Sequence, residues 1–151
     1  MNISIGTPIN YSDAYLKTIK WNKTMKALLL IAHGSRRQKS NDEVVVLADK
    51  LKATCSNEYQ IFESGFLEIA PPAIGSAVET CIEKGATSIT VLPYFLNSGL
   101  HVTKDIPIHI KESQLQFPDI EIKVAKHIGA SELMMSLLID AANSVNTVSD
   151  N

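Results

Sequence analysis

Regular apolar patterning begins at Met25-Lys26, and its first instance is an unbroken run, Ala27-Leu28-Leu29-Leu30-Ile31. A short continuous run of this kind, closed by glycine, predicts a strand buried on both faces, as in the middle of a parallel sheet. The period then changes. Over residues 38 to 54, Val44, Leu47, Ala48 and Leu51 recur at helical spacing and predict an amphipathic helix. Gln60 to Leu67 predicts a second strand. Pro71-Pro72 is expected to open a second helix, because proline suits the first helical turn. That helix presents Ile74, Ala77, Val78, Cys81 and Ile82 on one face and ends at Gly85. Ser88 to Pro93 predicts strand three, followed by a polar loop from Asn97 to His101. Asp105-Ile106-Pro107 starts a third helix to about Leu115, and Ile120 to Ala125 predicts strand four. Ser131 is expected to cap a last helix that buries Leu133, Met134, Leu137, Leu138 and Ala141. The Met134-Met135 pair then reads as packing rather than as a soft-metal site.

Strict alternation of strand and helix calls for a parallel sheet with helices on both faces. The expected fold is α/β: a doubly wound, flavodoxin-like, four-stranded parallel sheet, in a compact order such as 2-1-3-4. Strands one and three then lie side by side while their connections leave toward opposite faces. The crevice beyond their carboxyl ends is where this architecture binds ligands.

Composition narrows the setting. The chain has 151 residues, 45% of them hydrophobic and 20% charged, which supports a packed core. The expected division is one domain over residues 25–142, an N-terminal extension over 1–24 and a polar tail over 143–151. Two readings of the extension stand: a stretch ahead of a start at Met25, or a short surface helix from Tyr11 to Trp21. Fourteen basic and sixteen acidic residues give a net charge of -2, which offers no electrostatic case for nucleic acid or a membrane surface. No apolar run approaches the roughly 20 residues that span a bilayer. Cys55 and Cys81 form no C-x-x-C pair and read as reduced thiols of a cytoplasmic protein. Neither a phosphate-binding G-x-x-x-x-G-K-[ST] loop nor a dinucleotide G-x-G-x-x-G turn is present.

Three polar groups fall just past the carboxyl ends of three strands: His33 after the first, Glu68 after the second and His101 after the third. Taken singly, each has an ordinary reading as a polar turn, a helix-start carboxylate or a surface loop histidine. Together, two imidazoles and a carboxylate make a site for a divalent transition metal with coordination positions left open. His109, inside the third helix, and His127, after the fourth strand, are weaker candidates.

The segments Leu30-Ile31-Ala32-His33-Gly34-Ser35-Arg36, Phe66-Leu67-Glu68-Ile69-Ala70-Pro71-Pro72 and Leu92-Pro93-Tyr94-Phe95-Leu96, then His101 and Asp105-Ile106-Pro107, resemble the short sirohydrochlorin chelatases. These are ATP-independent class II enzymes, and the likeness covers residues 25 to 142. It implies a chelatase-like fold with His33, Glu68 and His101 as catalytic and metal-binding residues. It implies insertion of Co²⁺, or else Fe²⁺, into sirohydrochlorin, a polycarboxylate tetrapyrrole, for cobalamin or siroheme synthesis; the ligand set itself accepts Ni²⁺ as well. No cofactor beyond that metal substrate is implied, and a homodimer is. Substrate carboxylates need donors, with Arg36 first because a guanidinium grips a carboxylate bidentately, then Arg37 and Lys104. Gly34 and Gly99 would let backbone approach a flat macrocycle, and residues Phe95 to Lys104 would form a lid.

Two other functions compete. Histidine-type phosphatases carry an Arg-His-Gly segment after the first strand, but here Ala32 stands in place of the arginine. A non-catalytic metal or tetrapyrrole carrier could use the same ligands.

Overall fold

The computed structural model describes residues 24–144. The extension through residue 23, with its alternative helix from Tyr11 to Trp21, and the tail from residue 145 lie outside the described residues. The elements are β1 (Lys26–Ala32), α1 (Gln38–Cys55), β2 (Ile61–Phe66), α2 (Ile74–Glu83), β3 (Ser88–Pro93), α3 (Ile106–Gln116), β4 (Glu121–Val124) and α4 (Met134–Asn143). A π-helical turn, His101–Asp105, precedes α3, and a 3₁₀ turn, Ile128–Ala130, precedes α4.

The four strands form a parallel sheet, as the alternation predicts, in the expected order β2-β1-β3-β4. β1 is central, which explains its continuous apolar run. Ala27, Leu29 and Ile31 pack toward Ile74, Ala77, Val78 and Cys81 of α2 and toward Ile106 and Ile110 of α3. Leu30 and Ala32 pack on the other face with Phe66 and with Val44 and Ala48 of α1. Burial pushes the Cys81 thiol up to about 12, with Glu63 adding to the effect. Cys55 and Cys81 are both free. α2 ends as its sequence predicts: Gly85 takes φ +94, its N–H donates to the Ile82 carbonyl and the Ala86 N–H to that of Cys81. That pair of bonds closes a helix with a left-handed residue, which glycine adopts without a Cβ penalty. No helix of the described residues is long and apolar enough to cross a membrane.

Register brings the carboxyl ends of β1, β2 and β3 level. Ala32 stands opposite Phe66, and Ile31 opposite Pro93. The crevice of the topological switch point therefore opens on the residues that follow these three positions.

Four local expectations need correction. Pro71-Pro72, joined by a cis peptide bond, lies ahead of α2, whose N-cap is Ala73. The Pro72 carbonyl accepts the Phe66 N–H, so this segment extends the edge of β2 instead of starting the helix. The proposed lid is only partly loop, because His101–Asp105 is wound into the π-helical turn, with the Val102 and Thr103 N–H groups on the Gly99 carbonyl. Ser131 does not cap α4, whose N-cap is Leu133 without a side-chain cap; the Ser131 hydroxyl accepts the Leu133 N–H from two residues outside. The apolar stripe of α4 is not core. Of its members, Leu133, Leu137 and Leu138 are each more than half exposed, Ala141 is exposed and Met134 is half-buried, and the helix packs chiefly on the 3₁₀ turn. An apolar stripe states that a face wants cover, not what supplies it.

Candidate metal centre

His33 is the first residue past β1, and the chain holds it there from both sides. The ladder between β1 and β2 continues beyond the strands. The Leu67 N–H donates to the Ala32 carbonyl, and the Glu68 N–H to the His33 carbonyl, each at 2.9 Å. Glu68 is thereby fixed beside His33. Immediately afterwards the chain reverses in a γ-turn: Ala70 N–H donates to the Glu68 carbonyl at 2.7 Å, with Ile69 at φ +68. A branched residue in that region is strained, and such strain gathers at functional sites.

Gly34 has a specific reason to be glycine. Its φ is +94, and a Cβ there would lie 2.0 Å from the Glu68 carbonyl oxygen. The residue expected to make room for a macrocycle makes room for the Glu68 backbone. Gly99 shows no comparable crowding. The next turn is clamped by Asn41, which is 6% exposed. Its Oδ1 accepts the Ser35 N–H at 2.9 Å, and its Nδ2 donates to the Ser35 carbonyl at 2.8 Å. Asn41 escapes sequence reading because it interrupts an apolar stripe. Its spacing of three from Val44 and seven from Ala48 placed it on the buried face all the same.

His101 arrives from the far side of the crevice, at the head of the π-helical turn. The His33 and His101 ring centroids are 4.8 Å apart and the planes 70° apart. His33 Nε2 lies 3.9 Å from Glu68 Oε2. One donor atom from each of His33, Glu68 and His101 falls within 4.8 Å of the others. A tetrahedral ion holds nitrogen and oxygen donors about 3.4 Å apart, so modest side-chain rotation closes the set. The side chains are 41%, 53% and 40% exposed, which leaves the site open to an incoming ion.

Both rings keep one nitrogen for this purpose. His33 Nδ1 sits 3.1 Å from the Gly34 carbonyl oxygen, to which it can only donate. His101 Nδ1 lies 2.8 Å from Asp105 Oδ2. With each Nδ1 engaged as a donor, the neutral rings present Nε2 as the free lone pair.

The other candidates are placed differently. Arg36 and Arg37 are exposed on the turn into α1, and Lys104 is exposed on the π-helical turn. Among the described residues none of the three pairs with His33, Glu68 or His101. His109 lines a hollow of about 260 Å³ with Leu67, Glu68, Asp105 and Ile108, and its Nδ1 lies 3.4 Å from Glu112. His127 stands apart: its Nδ1 donates to the Phe95 carbonyl at 3.2 Å and ties down the segment after β3. Asp105 joins the site without having been singled out for chemistry. Its spacing of four from His101 and from His109 was the available signal.

Comparison with known proteins places the chain in a family. The CbiX family profile matches residues 27–145. The sirohydrochlorin cobaltochelatase of Methanocaldococcus jannaschii is 35% identical, the match covering 78% of this chain and 98% of that protein. The sirohydrochlorin ferrochelatase of Priestia megaterium is 33% identical, covering 81% of this chain but 45% of that protein. The sirohydrochlorin chelatase SirB from Bacillus subtilis subspecies spizizenii, in complex with cobalt, superposes with a TM-score of 0.73 at 30% identity, over 81% of this chain and 51% of that one. The chain thus spans about half the length of the latter two and nearly all of the first. The matched region takes in His33, Glu68 and His101, and the chain belongs to the CbiX family.

Proposed function

We propose that the chain is an ATP-independent metal chelatase that inserts a divalent ion into sirohydrochlorin, Co²⁺ first, with Fe²⁺ or Ni²⁺ as alternatives. The observation that carries this reading is the convergence of His33, Glu68 and His101 at the switch point. Relatives named for cobalt and iron insertion into the same tetrapyrrole support it.

The chemistry requires an incomplete ligand set. Insertion exchanges two pyrrole N–H protons for one divalent ion, and a closed cage would trap that ion. Three protein donors hold it while ring nitrogens replace its remaining ligands. Glu68 offsets charge, and each histidine nitrogen, once it releases the metal, is free to accept one of the two pyrrole protons. Ile69 and Leu100, the neighbours of Glu68 and His101, are 57% and 71% exposed and offer apolar surface to a flat ring. Arg36, Arg37 and Lys104 are the donors assigned to its carboxylates.

We assign the working unit to residues 25–142, as a homodimer in the cytoplasm. Free Cys55 and Cys81 suit a reducing compartment. The exposed apolar side chains of α4 and the double length of two of the relatives support a second copy.

The test is an anaerobic insertion assay with sirohydrochlorin and each of the three ions, set against the spontaneous rate. Acceleration is expected, with His33→Ala and His101→Ala each abolishing it at unchanged circular dichroism. Full activity in either variant would remove the assigned site. Binding of ion and tetrapyrrole without acceleration would make the protein a carrier.

A further inference from the structure

We infer that Asp105 is a positioning residue for His101, fixing which nitrogen of that ring meets the metal. The inference rests on the metal-site reading above and extends it to a residue outside the donor set. Asp105 Oδ2 lies 2.8 Å from His101 Nδ1. The two residues are the last and first of the π-helical turn, whose Ile106 N–H donates back to the His101 carbonyl. π-helical turns are uncommon and concentrate at functional positions. Here the wide turn sets the carboxylate against the Nδ1 edge of the ring. Ile106, the next residue, is fully buried in the core, so the backbone that carries Asp105 is anchored in the sheet–helix interior.

Asp105 acts through the ring rather than on the ion. Its oxygen occupies the Nδ1 side, opposite the free Nε2, and it is not among the donor atoms that cluster within 4.8 Å. A carboxylate accepts a hydrogen bond and donates none when ionised. It therefore holds the proton on Nδ1 and leaves the lone pair on Nε2. Partners of this kind orient metal-binding histidines and typically contribute 10–100-fold to affinity. The two histidines are held by different means. His33 leans on the Gly34 carbonyl, which no side-chain substitution removes, whereas the support of His101 is a side chain and can be deleted.

The experiment is Co²⁺ titration of the full chain without tetrapyrrole, followed by the visible absorption of the bound ion, for the parent protein and Asp105→Ala, Asp105→Asn and His101→Ala. Asp105→Ala is expected to weaken Co²⁺ about 10–100-fold. Asp105→Asn is expected to stay within about threefold of the parent, because its amide oxygen can accept the same Nδ1–H. In ¹⁵N-histidine spectra of the metal-free protein, His101 is expected as the Nδ1-protonated tautomer in the parent and as a mixture in Asp105→Ala. Parent-like affinity in Asp105→Ala, or equal weakening in both Asp105 variants, overturns the inference. Unchanged affinity in His101→Ala overturns the metal-site reading itself, so the two failures are distinguishable. Asp105 is 36% exposed at its side chain, and urea unfolding of each variant separates loss of fold from loss of affinity.

Discussion

His33 and Glu68 are neighbours because of backbone bonds, and those bonds depend on a residue with no side chain. Gly34 passes so close to the Glu68 carbonyl that an added methyl group would sit inside it. Its φ of +94 would strain any other residue. Gly34→Ala is expected to cost about 1–3 kcal/mol from the backbone conformation alone, read as a lower urea midpoint at unchanged slope. Because the clash falls on the segment that carries Glu68, Co²⁺ affinity is expected to fall in the same variant even where it remains folded. A loss of stability with unchanged affinity would separate Gly34 from the placement of Glu68.

The turn from β1 into α1 shows how an element serves the site. α1 packs on β1 and β2 through Val44 and Ala48, and one turn earlier Asn41 reaches from the same buried face to both backbone groups of Ser35. Asn41→Ala leaves that N–H and carbonyl short of partners in a half-buried place, a loss of about 1–3 kcal/mol. Urea unfolding should show it, together with slower insertion because His33 lies two residues from the freed turn. Asn41→Asp keeps the acceptor and loses the donor, and is expected to fall between. The helical spacing of Asn41 was readable beforehand. What it touched was not, since a buried asparagine declares a need for partners without naming them.

Across the whole molecule, the sheet sets β1 and β3 side by side with their connections on opposite faces, and the His33–Glu68–His101 cluster lies past those strand ends. α4 is the element without adequate cover: Leu133, Leu137, Leu138 and Ile139 are 75%, 56%, 56% and 56% exposed. Apolar surface gathered in this way marks interaction sites. Sedimentation velocity is expected to give twice the mass of the chain at micromolar concentration. A monomer that nevertheless inserts metal would refute the homodimer without touching the metal centre.

The parallel sheet, the central place of β1 and the location of His33, Glu68 and His101 past the carboxyl ends of three strands all follow from local patterning. A period of two or 3.6, an unbroken apolar run and alternating strand and helix leave few ways to wind a parallel sheet. One helix end was legible too, at Gly85, whereas the starts expected at Pro71-Pro72 and Ser131 were not. Other features had to wait for the fold: the role of Gly34 against Glu68, the clamp of Asn41, the π-helical turn that sets Asp105 on His101, the position of Pro71-Pro72 and the exposure of α4. Each depends on which backbone or side-chain group stands opposite, which periodicity does not name even where, as for His101 and Asp105, the partners are four residues apart. A sequence records what a residue can donate, accept or bury, and the partner that completes it is supplied by the packing of elements distant along the chain.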